Sequence, residues 1–382
     1  MSLYNLVATS SFGLESVVAR ELAELGFSDL HVENGKISFA GNDKDLAACN
    51  IRLRCADRLL VRMAEFRATD FEELFQGTRQ IPWEDIIPRD GKMHVTGKSI
   101  RSGLFSVPDC QSVVKKAVVE AMKRKYRNQV FPETGPTYRI EAALYKDTAT
   151  ITLDTTGPGL HKRGYRTEAG EAPLRETLAA ALVLLSRWKP GRVLADPLCG
   201  SGTIAIEAAL IGRRIAPGLH RPFVSEAWPT VPRQVWVEAR DAARAEIISP
   251  DVRILASDID AALLKGAQGN ARRAGVIDCM SFEARPLSEF RSSEKFGCLI
   301  CNPPYGERLG EVKEAEKIYK TLGHVYEQLE GWSLFALTSH PGFERIFGKK
   351  ADRKRKLYNG QIKCHLYQYL GPMPGRTVTS GK

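Results

Sequence analysis

Residues 297–305 read Gly-Cys-Leu-Ile-Cys-Asn-Pro-Pro-Tyr, an apolar run that stops at Asn302-Pro303-Pro304-Tyr305. The run has the length and character of a buried strand. Earlier in the chain, residues 192–203 read Arg-Val-Leu-Ala-Asp-Pro-Leu-Cys-Gly-Ser-Gly-Thr, a second short apolar run closed by a Gly-rich turn. Further strand candidates lie at 253–257, 280–283 and 333–338, and helical segments separate most of them. Such alternation predicts an α/β domain with a mostly parallel, doubly wound sheet. The end of the chain differs. Residues 355–369 form two alternating runs around Asn359-Gly360, a strong hairpin signal. The expected sheet is therefore parallel and finished by an antiparallel hairpin.

Working outward from this core, Ala172-Pro173 opens a helix with Pro at its start, and Leu174, Leu178, Leu182 and Leu185 give that helix an apolar face. A Gly/Pro-bearing stretch at 156–166 reads as the junction to the preceding half. That half contains two smaller α/β units. In the first, residues 3–9 are strand-like, residues 14–25 are helical up to Gly26, and residues 31–39 form a hairpin around Asn34-Gly35. In the second, residues 59–63 and 92–96 are strand candidates, and residues 110–126 are a long basic helix. Residues 138–144 and 148–154 pair as strands around Lys146-Asp147. The segment 213–250, with Trp228 and Trp236, fits either a lid or a surface insertion.

A chain of 382 residues exceeds one ordinary core, so two or three domains are expected. Apolar content of 43% is that of a globular protein, and no apolar run approaches the roughly 18 residues of a membrane span. The start, Met1-Ser-Leu-Tyr-Asn-Leu-Val-Ala8, has neither a basic flank nor a long apolar segment. A cytoplasmic protein without a signal peptide is expected. Cys298 and Cys301 form a CxxC, but residues three apart on a strand face opposite ways, and no second pair completes a metal site. Free buried thiols, and no metal, are expected. The net charge of +10 favours an anionic partner. It concentrates in 113–127 and 345–363, two basic segments able to follow a phosphate backbone.

The run Asp196-Pro197-Leu198-Cys199-Gly200-Ser201-Gly202-Thr203 reads as a cofactor turn. Its glycines permit tight turning and close ligand approach. Thr203 begins a helix whose N–H groups can receive a carboxylate. It is no Walker A loop, because no Gly-Lys-Ser/Thr follows, and it lacks the third Gly of the dinucleotide pattern. The next strand ends at Asp258, placed to accept hydrogen bonds from both hydroxyls of a ribose; Asp260 fits a helix cap better. These features suit S-adenosylmethionine. Asn302-Pro303-Pro304-Tyr305 suits a planar exocyclic amine. Such a nitrogen is a poor nucleophile, since its lone pair is delocalised. The Asn302 side-chain carbonyl and the Pro303 backbone carbonyl can accept its two protons, which orients the lone pair and stabilises developing charge. Two prolines keep the loop extended. Tyr305 offers a face for an extruded base.

At this point the chain resembles the THUMP-domain RNA methyltransferases, over nearly all its length. It is most similar to bacterial enzymes like the guanine-N2 methyltransferase domain of 23S rRNA methyltransferase L. The stretches that carry the likeness are 98–111, 160–166, 172–177, 196–203, 302–308 and 356–360. The resemblance implies a ferredoxin-like domain (1–52), a THUMP RNA-binding domain (53–156) and a class I methyltransferase domain (157–382). It places Asp196, Pro197, Cys199, Gly200, Gly202, Thr203 and Asp258 at the cofactor, and Asn302 to Tyr305 at the base. Lys98, Arg101, Lys115, Lys116, Lys123 and Lys356 become the candidate RNA contacts. One departure matters. Many relatives carry an Asp after the third strand, at the cofactor's adenine amine, whereas residues 282–288 here read Phe-Glu-Ala-Arg-Pro-Leu-Ser.

The expected reaction is methyl transfer to guanine N2 in RNA, ribosomal RNA first. Transfer RNA guanine and adenine N6 of a nucleic acid are alternatives. A reading of another class is an RNA-binding or ribosome-assembly factor with a silent methyltransferase fold. No oligomer is implied.

Overall fold

The computed structural model describes residues 3–127, 130–166, 174–306 and 311–372, and its strands fall into two seven-stranded sheets. Described residues within 1–10, 18–160 and 221–243 form one unit; those within 11–17, 161–220 and 244–382 form the other.

The chain begins with β1 (Tyr4–Ser10), α1 (Glu15–Glu24), β2 (His31–Glu33), β3 (Lys36–Gly41), α2 (Asp43–Arg52) and β4 (Ala56–Arg67). It continues with α3 (Phe71–Gln80), α4 (Trp83–Ile86), β5 (Lys92–Ile100), α5 (Val107–Tyr126), β6 (Thr137–Tyr145) and β7 (Thr148–Asp154). The first sheet has the order β2-β3-β1-β4-β7-β6-β5. Its long strand β4 pairs antiparallel with β1 (Leu6↔Val61) and with β7 (Leu60↔Asp154), so both small α/β units share one sheet. The hairpin around Gly35 forms as expected, with φ 74° at that glycine. β5 and β6 run parallel. A tight turn cannot join parallel neighbours, and α5 supplies the crossover. That helix starts earlier than its apolar pattern implied, with Pro108 in its first turn, and buries Cys110, Val114, Ala117, Val118, Ala121 and Met122.

After residue 160 come α6 (Glu176–Leu185), β8 (Leu194–Asp196), α7 (Thr203–Gly212), α8 (Arg233–Ala245), which lies in the first unit as far as Ala243, and then β9 (Ile254–Asp258), α9 (Ala261–Arg273) and β10 (Met280–Ala284). Then follow β11 (Cys298–Cys301), α10 (Glu311–Glu327), β12 (Ser333–Thr338), α11 (Phe343–Phe347), β13 (Arg353–Asn359) and β14 (Ile362–Tyr369). The order is β10-β9-β8-β11-β12-β14-β13. The first five strands of that order are parallel, and β14 and β13 complete the sheet antiparallel. This is the α/β architecture anticipated, with the terminal hairpin turning at Gly360 (φ 62°).

Two details depart from the expected pattern. The start anticipated at Ala172-Pro173 lies outside the described residues. α6 itself buries all of its residues from Glu176 to Val183, rather than one leucine face, because Ala179, Ala180 and Ala181 let neighbours close in on every side. The segment 213–250 is divided. Its middle, 221–243, belongs to the first unit. There Ser225 Oγ donates to the Thr155 carbonyl at 2.7 Å, and Trp228 stacks on Tyr138 with centroids 5.0 Å apart. The Trp228 indole N–H donates to the Thr137 carbonyl at 2.9 Å.

All eight cysteines are free thiols, and Cys298 and Cys301 are fully buried. Cys301 faces the core cluster of Tyr319, Trp332 and Phe343. Among the described residues no helix is long and apolar enough to cross a membrane.

Candidate active site

Strand order reverses between β8 and β11, and crevices at such switch points, at the carboxyl ends of the strands, are where doubly wound sheets bind ligands. Asp196 ends β8, Asp258 ends β9, and Asn302 follows β11 directly. These three strands are hydrogen-bonded neighbours, so residues scattered over the sequence meet along one edge.

The turn after β8 is shaped by its glycines. Gly200 has φ 50° and Gly202 φ 78°, both left-handed. A Cβ built at Gly200 would meet nothing within 4 Å, whereas one at Gly202 would press on Ala267 at 3.1 Å. Gly202 is the N-cap of α7 and offers no side-chain cap, so the first N–H groups of that helix stay available to an anion. The Gly200 N–H donates to Asp258 Oδ2 at 2.8 Å, and the Asp260 N–H donates to Asp258 Oδ1 at 3.1 Å. Each Asp258 oxygen keeps a lone pair for a diol. Asp260 caps α9 through the N–H groups of Ala262 and Leu263. Asp196 is 1% exposed and accepts one long bond, from the Leu198 N–H at 3.3 Å. Burial first, and then the neighbouring Asp258 charge, push its carboxyl up to about 8. Pro197 and Cys199 are buried beside it, and burial pushes the Cys199 thiol up, which keeps it protonated and inert. An underbonded buried carboxyl, an open helix N-terminus and a diol acceptor together fit a ligand carrying an amine, a carboxylate and a ribose.

Helix α7 is held from behind. Its Glu207 is fully buried, and Arg163 Nε lies 3.4 Å from Glu207 Oε1. The Tyr165 hydroxyl donates to the same oxygen at 3.1 Å. Arg166 pairs with Glu176 of α6 at 2.5 Å. The basic-aromatic run 160–166 thus buttresses α6 and α7, the helix that follows the 196–203 turn.

The loop after β11 is tied at three points. The Tyr305 hydroxyl donates to Asn302 Oδ1 at 2.6 Å. Asn359 Nδ2, at the tip of the terminal hairpin, reaches the Tyr305 hydroxyl at 3.4 Å. The Tyr319 hydroxyl donates to the Pro304 carbonyl at 2.6 Å and lies 3.0 Å from Thr338 Oγ1. Pro303 is buried and Pro304 exposed. Tyr305 is half-buried, and burial raises its phenol, so it remains a donor.

Tyr319 and Thr338 escaped the sequence reading as site residues, since nothing local links them to the loop; Asn359 stood in the hairpin turn and in the 356–360 stretch, with nothing to tie it to Tyr305. Ile259, 76% exposed, also escaped it, and gives an apolar lip next to the Asp258 carboxylate. On the β10 side, Glu283 pairs with Arg285 at 3.1 Å, and the Arg285 N–H donates to the Asp258 carbonyl.

The candidate RNA contacts are dispersed. Lys98 on β5 pairs with Glu141 at 2.8 Å, and Arg101 follows that strand. On α5, Lys115 pairs with Glu133 and Lys123 with Glu120, both at 2.7 Å. Lys116 lies over Phe75, and Lys356 on β13 over Tyr358.

Three family models match the chain. The model described as "RMKL-like, methyltransferase domain" covers residues 163–368, "RlmL ferredoxin-like domain" covers 5–60, and the THUMP domain covers 68–154. "Putative RNA methyltransferase YpsC" of Bacillus subtilis is 48% identical over 97% of this chain and 96% of its own length. The crystal structure of a "predicted N6-adenine-specific DNA methylase" from Listeria monocytogenes superposes with a TM-score of 0.92 at 47% identity, covering 97% of each chain. That of SMU.472, complexed with SAH, gives 0.92 at 43% identity over 98% of this chain and 99% of the other. The chain belongs to the THUMP-containing, RlmL-like family of RNA methyltransferases.

Proposed function

We propose that this protein transfers the methyl group of S-adenosylmethionine to the exocyclic N2 of a guanine in RNA, with 23S ribosomal RNA the first substrate to test. The coarse activity, S-adenosylmethionine-dependent RNA methylation, is that of its family. SAH, the demethylated cofactor, is present in the related SMU.472 structure. The observation that carries the finer reading is the placement of Asn302 at the end of β11, beside the β8 turn of Asp196 to Thr203. In this reading Asp196 meets the cofactor's amino group, the α7 N-terminus its carboxylate, and Asp258 its ribose. Pro197, Cys199, Gly200, Gly202 and Thr203 shape the turn. Asn302 Oδ1 and the Pro303 carbonyl accept the two amine protons, and Tyr305 stacks the flipped base. The ferredoxin-like (1–52) and THUMP (53–156) domains select the RNA, through Lys98, Arg101, Lys115, Lys116, Lys123 and Lys356, and deliver the base to the catalytic domain (157–382).

Adenine N6 is the second reading, because the same two carbonyls suit either amine and the Listeria relative carries that description. The test is transfer of tritium from labelled S-adenosylmethionine to unmodified ribosomal RNA, transfer RNA and DNA, followed by nucleoside analysis. Label in N2-methylguanosine from ribosomal RNA is expected. Label in N6-methyladenosine moves the assignment to adenine, and label in transfer RNA alone moves the substrate.

A further inference from the structure

Three large apolar side chains stand in water at one end of the first sheet. Phe105 is 84% exposed, Ile100 55% and Tyr145 53%. Ile100 and Tyr145 are register partners across β5 and β6, so they lie side by side on one sheet face. Lys98, two residues before Ile100, is on the same face. Lys146 Nζ sits 5.3 Å from the Tyr145 ring centroid, within cation–π range. Arg101 and Lys146 form no ion pair among the described residues.

The backbone beneath them is rigidly built. Arg101 (φ 54°), Lys146 (φ 49°) and Asp147 (φ 60°) are all left-handed, a conformation costing a non-glycine residue on the order of 1 kcal/mol. Cross-links hold them there. The Asp147 N–H donates to Ser102 Oγ at 3.0 Å, and the Gly103 N–H to Asp147 Oδ1 at 2.7 Å. The Ser99 hydroxyl donates to the Leu104 carbonyl at 2.7 Å, fixing the residue before Phe105. The nearby carboxylates are turned to other work: Asp147 binds Gly103, and Glu141 binds Lys98. Helix α5 contrasts with this end of the sheet, because its Lys115, Lys123, Arg124 and Lys125 are all in ion pairs.

We propose that residues 98–105, with the Tyr145–Lys146 turn, form a stacking site for unpaired nucleotides of the substrate RNA. Phe105 and Tyr145 are the platforms, and Arg101 and Lys146 meet the flanking phosphates. Sequence-tolerant binding of single strands combines these two elements, aromatic faces for bases and cations for backbone. A double helix offers no base face to an aromatic ring, so the ligand here is a loop, bulge or end. Lysine is depleted at protein interfaces, whereas Lys98 and Lys146 stand among these rings. The inference rests on the RNA-methyltransferase reading and adds the form of RNA recognised.

The test uses the full chain and a fluorescent single-stranded oligoribonucleotide, with a blunt RNA duplex as competitor. Phe105→Ala and Tyr145→Ala should each weaken binding of the single strand by roughly 5- to 150-fold, the range for loss of one stacked base. The slope of affinity against salt should hold, because stacking releases no counterions. Phe105→Trp should restore affinity and show fluorescence quenching when RNA is added. Arg101→Ala should lower the salt slope by about one. S-adenosylmethionine affinity should match wild type in all four, which also reports folding. Methylation by the wild type with undiminished RNA binding by both alanine variants overturns this inference alone, and assigns the exposed rings to a protein contact. A wild-type chain that neither binds nor methylates any RNA overturns this inference and the proposed function together.

Discussion

In the proposed base pocket, Tyr305 changes what Asn302 can offer a substrate. An amide oxygen has two lone pairs, and the Tyr305 hydroxyl takes one at 2.6 Å. One remains for an amine proton, and its direction is set by the bond already made. Asn359 orients the Tyr305 hydroxyl in turn, more weakly at 3.4 Å. Tyr305→Phe keeps the ring for stacking and removes the positioning bond. Its kcat should fall about 5-fold, the worth of one neutral hydrogen bond, with cofactor affinity unchanged by calorimetry. Asn302→Ala removes the acceptor itself and should cost at least about 100-fold in kcat. Full activity of Asn302→Ala would remove that residue from the chemistry. Asp196 makes a different prediction. Its folded carboxyl is raised to about 8 from an ordinary 3.8. Between those values the folded chain holds a proton that the unfolded chain releases, so this group's contribution to stability falls as pH rises through that window. Asp196→Asn stays neutral throughout. The melting temperature of the variant minus that of the cofactor-free wild type should therefore be more positive at pH 9 than at pH 5. An equal difference at both pH values would mean that the carboxyl is not raised.

At the scale of elements, the parallel strands and the terminal hairpin were legible because each carries its own signal. β11 is four apolar residues before Asn302-Pro303, and the hairpin has Gly360 at φ 62°. What supports them was not legible. The run 160–166 stood out as a motif, yet its partner Glu207 lies 44 residues onward in a helix whose sequence reads as merely apolar. The same distance effect hid the 221–243 excursion, where Trp228 finds Tyr138 only in three dimensions. The buttress gives a stability prediction. Both partners of the Arg163–Glu207 pair are essentially buried, at 2% and 0% side-chain exposure. Arg163→Ala leaves a buried carboxylate without its cation, a loss of about 3–5 kcal/mol, measurable by urea unfolding of the methyltransferase unit. Arg163→Ala and Glu207→Gln together should cost less than their sum, because the variant pair buries no unpaired charge. Additive losses would mean the two side chains do not act as a pair.

For the whole molecule, composition spoke for a class of partner more plainly than any residue spoke for a contact. A net charge of +10 signals an anionic ligand, but α5, the most basic helix by sequence, has Lys115, Lys123, Arg124 and Lys125 matched by Glu133, Glu120, Glu84 and Asp85. Glu120 is one turn from Lys123 within the helix, but Glu84, Asp85 and Glu133 lie outside it, so the helix sequence alone does not display most of the neutralisation. Exposed pairs of this kind are worth little, about 0–1 kcal/mol, and a phosphate can replace the carboxylate at small cost. The count of cations that engage RNA is therefore a property of the complex, and salt dependence measures it. If Lys98, Arg101, Lys115, Lys116, Lys123 and Lys356 each meet a phosphate of a single-stranded segment, log affinity should fall with log salt at a slope of about −4. If the carboxylates keep Lys115 and Lys123, the slope should be nearer about −3, since Lys98, Arg101, Lys116 and Lys356 would carry the contact. Replacing Lys115 and Lys123 together by Gln decides between the two: a slope reduced by more than about one places these two lysines on the RNA, and an unchanged slope leaves them with their carboxylates.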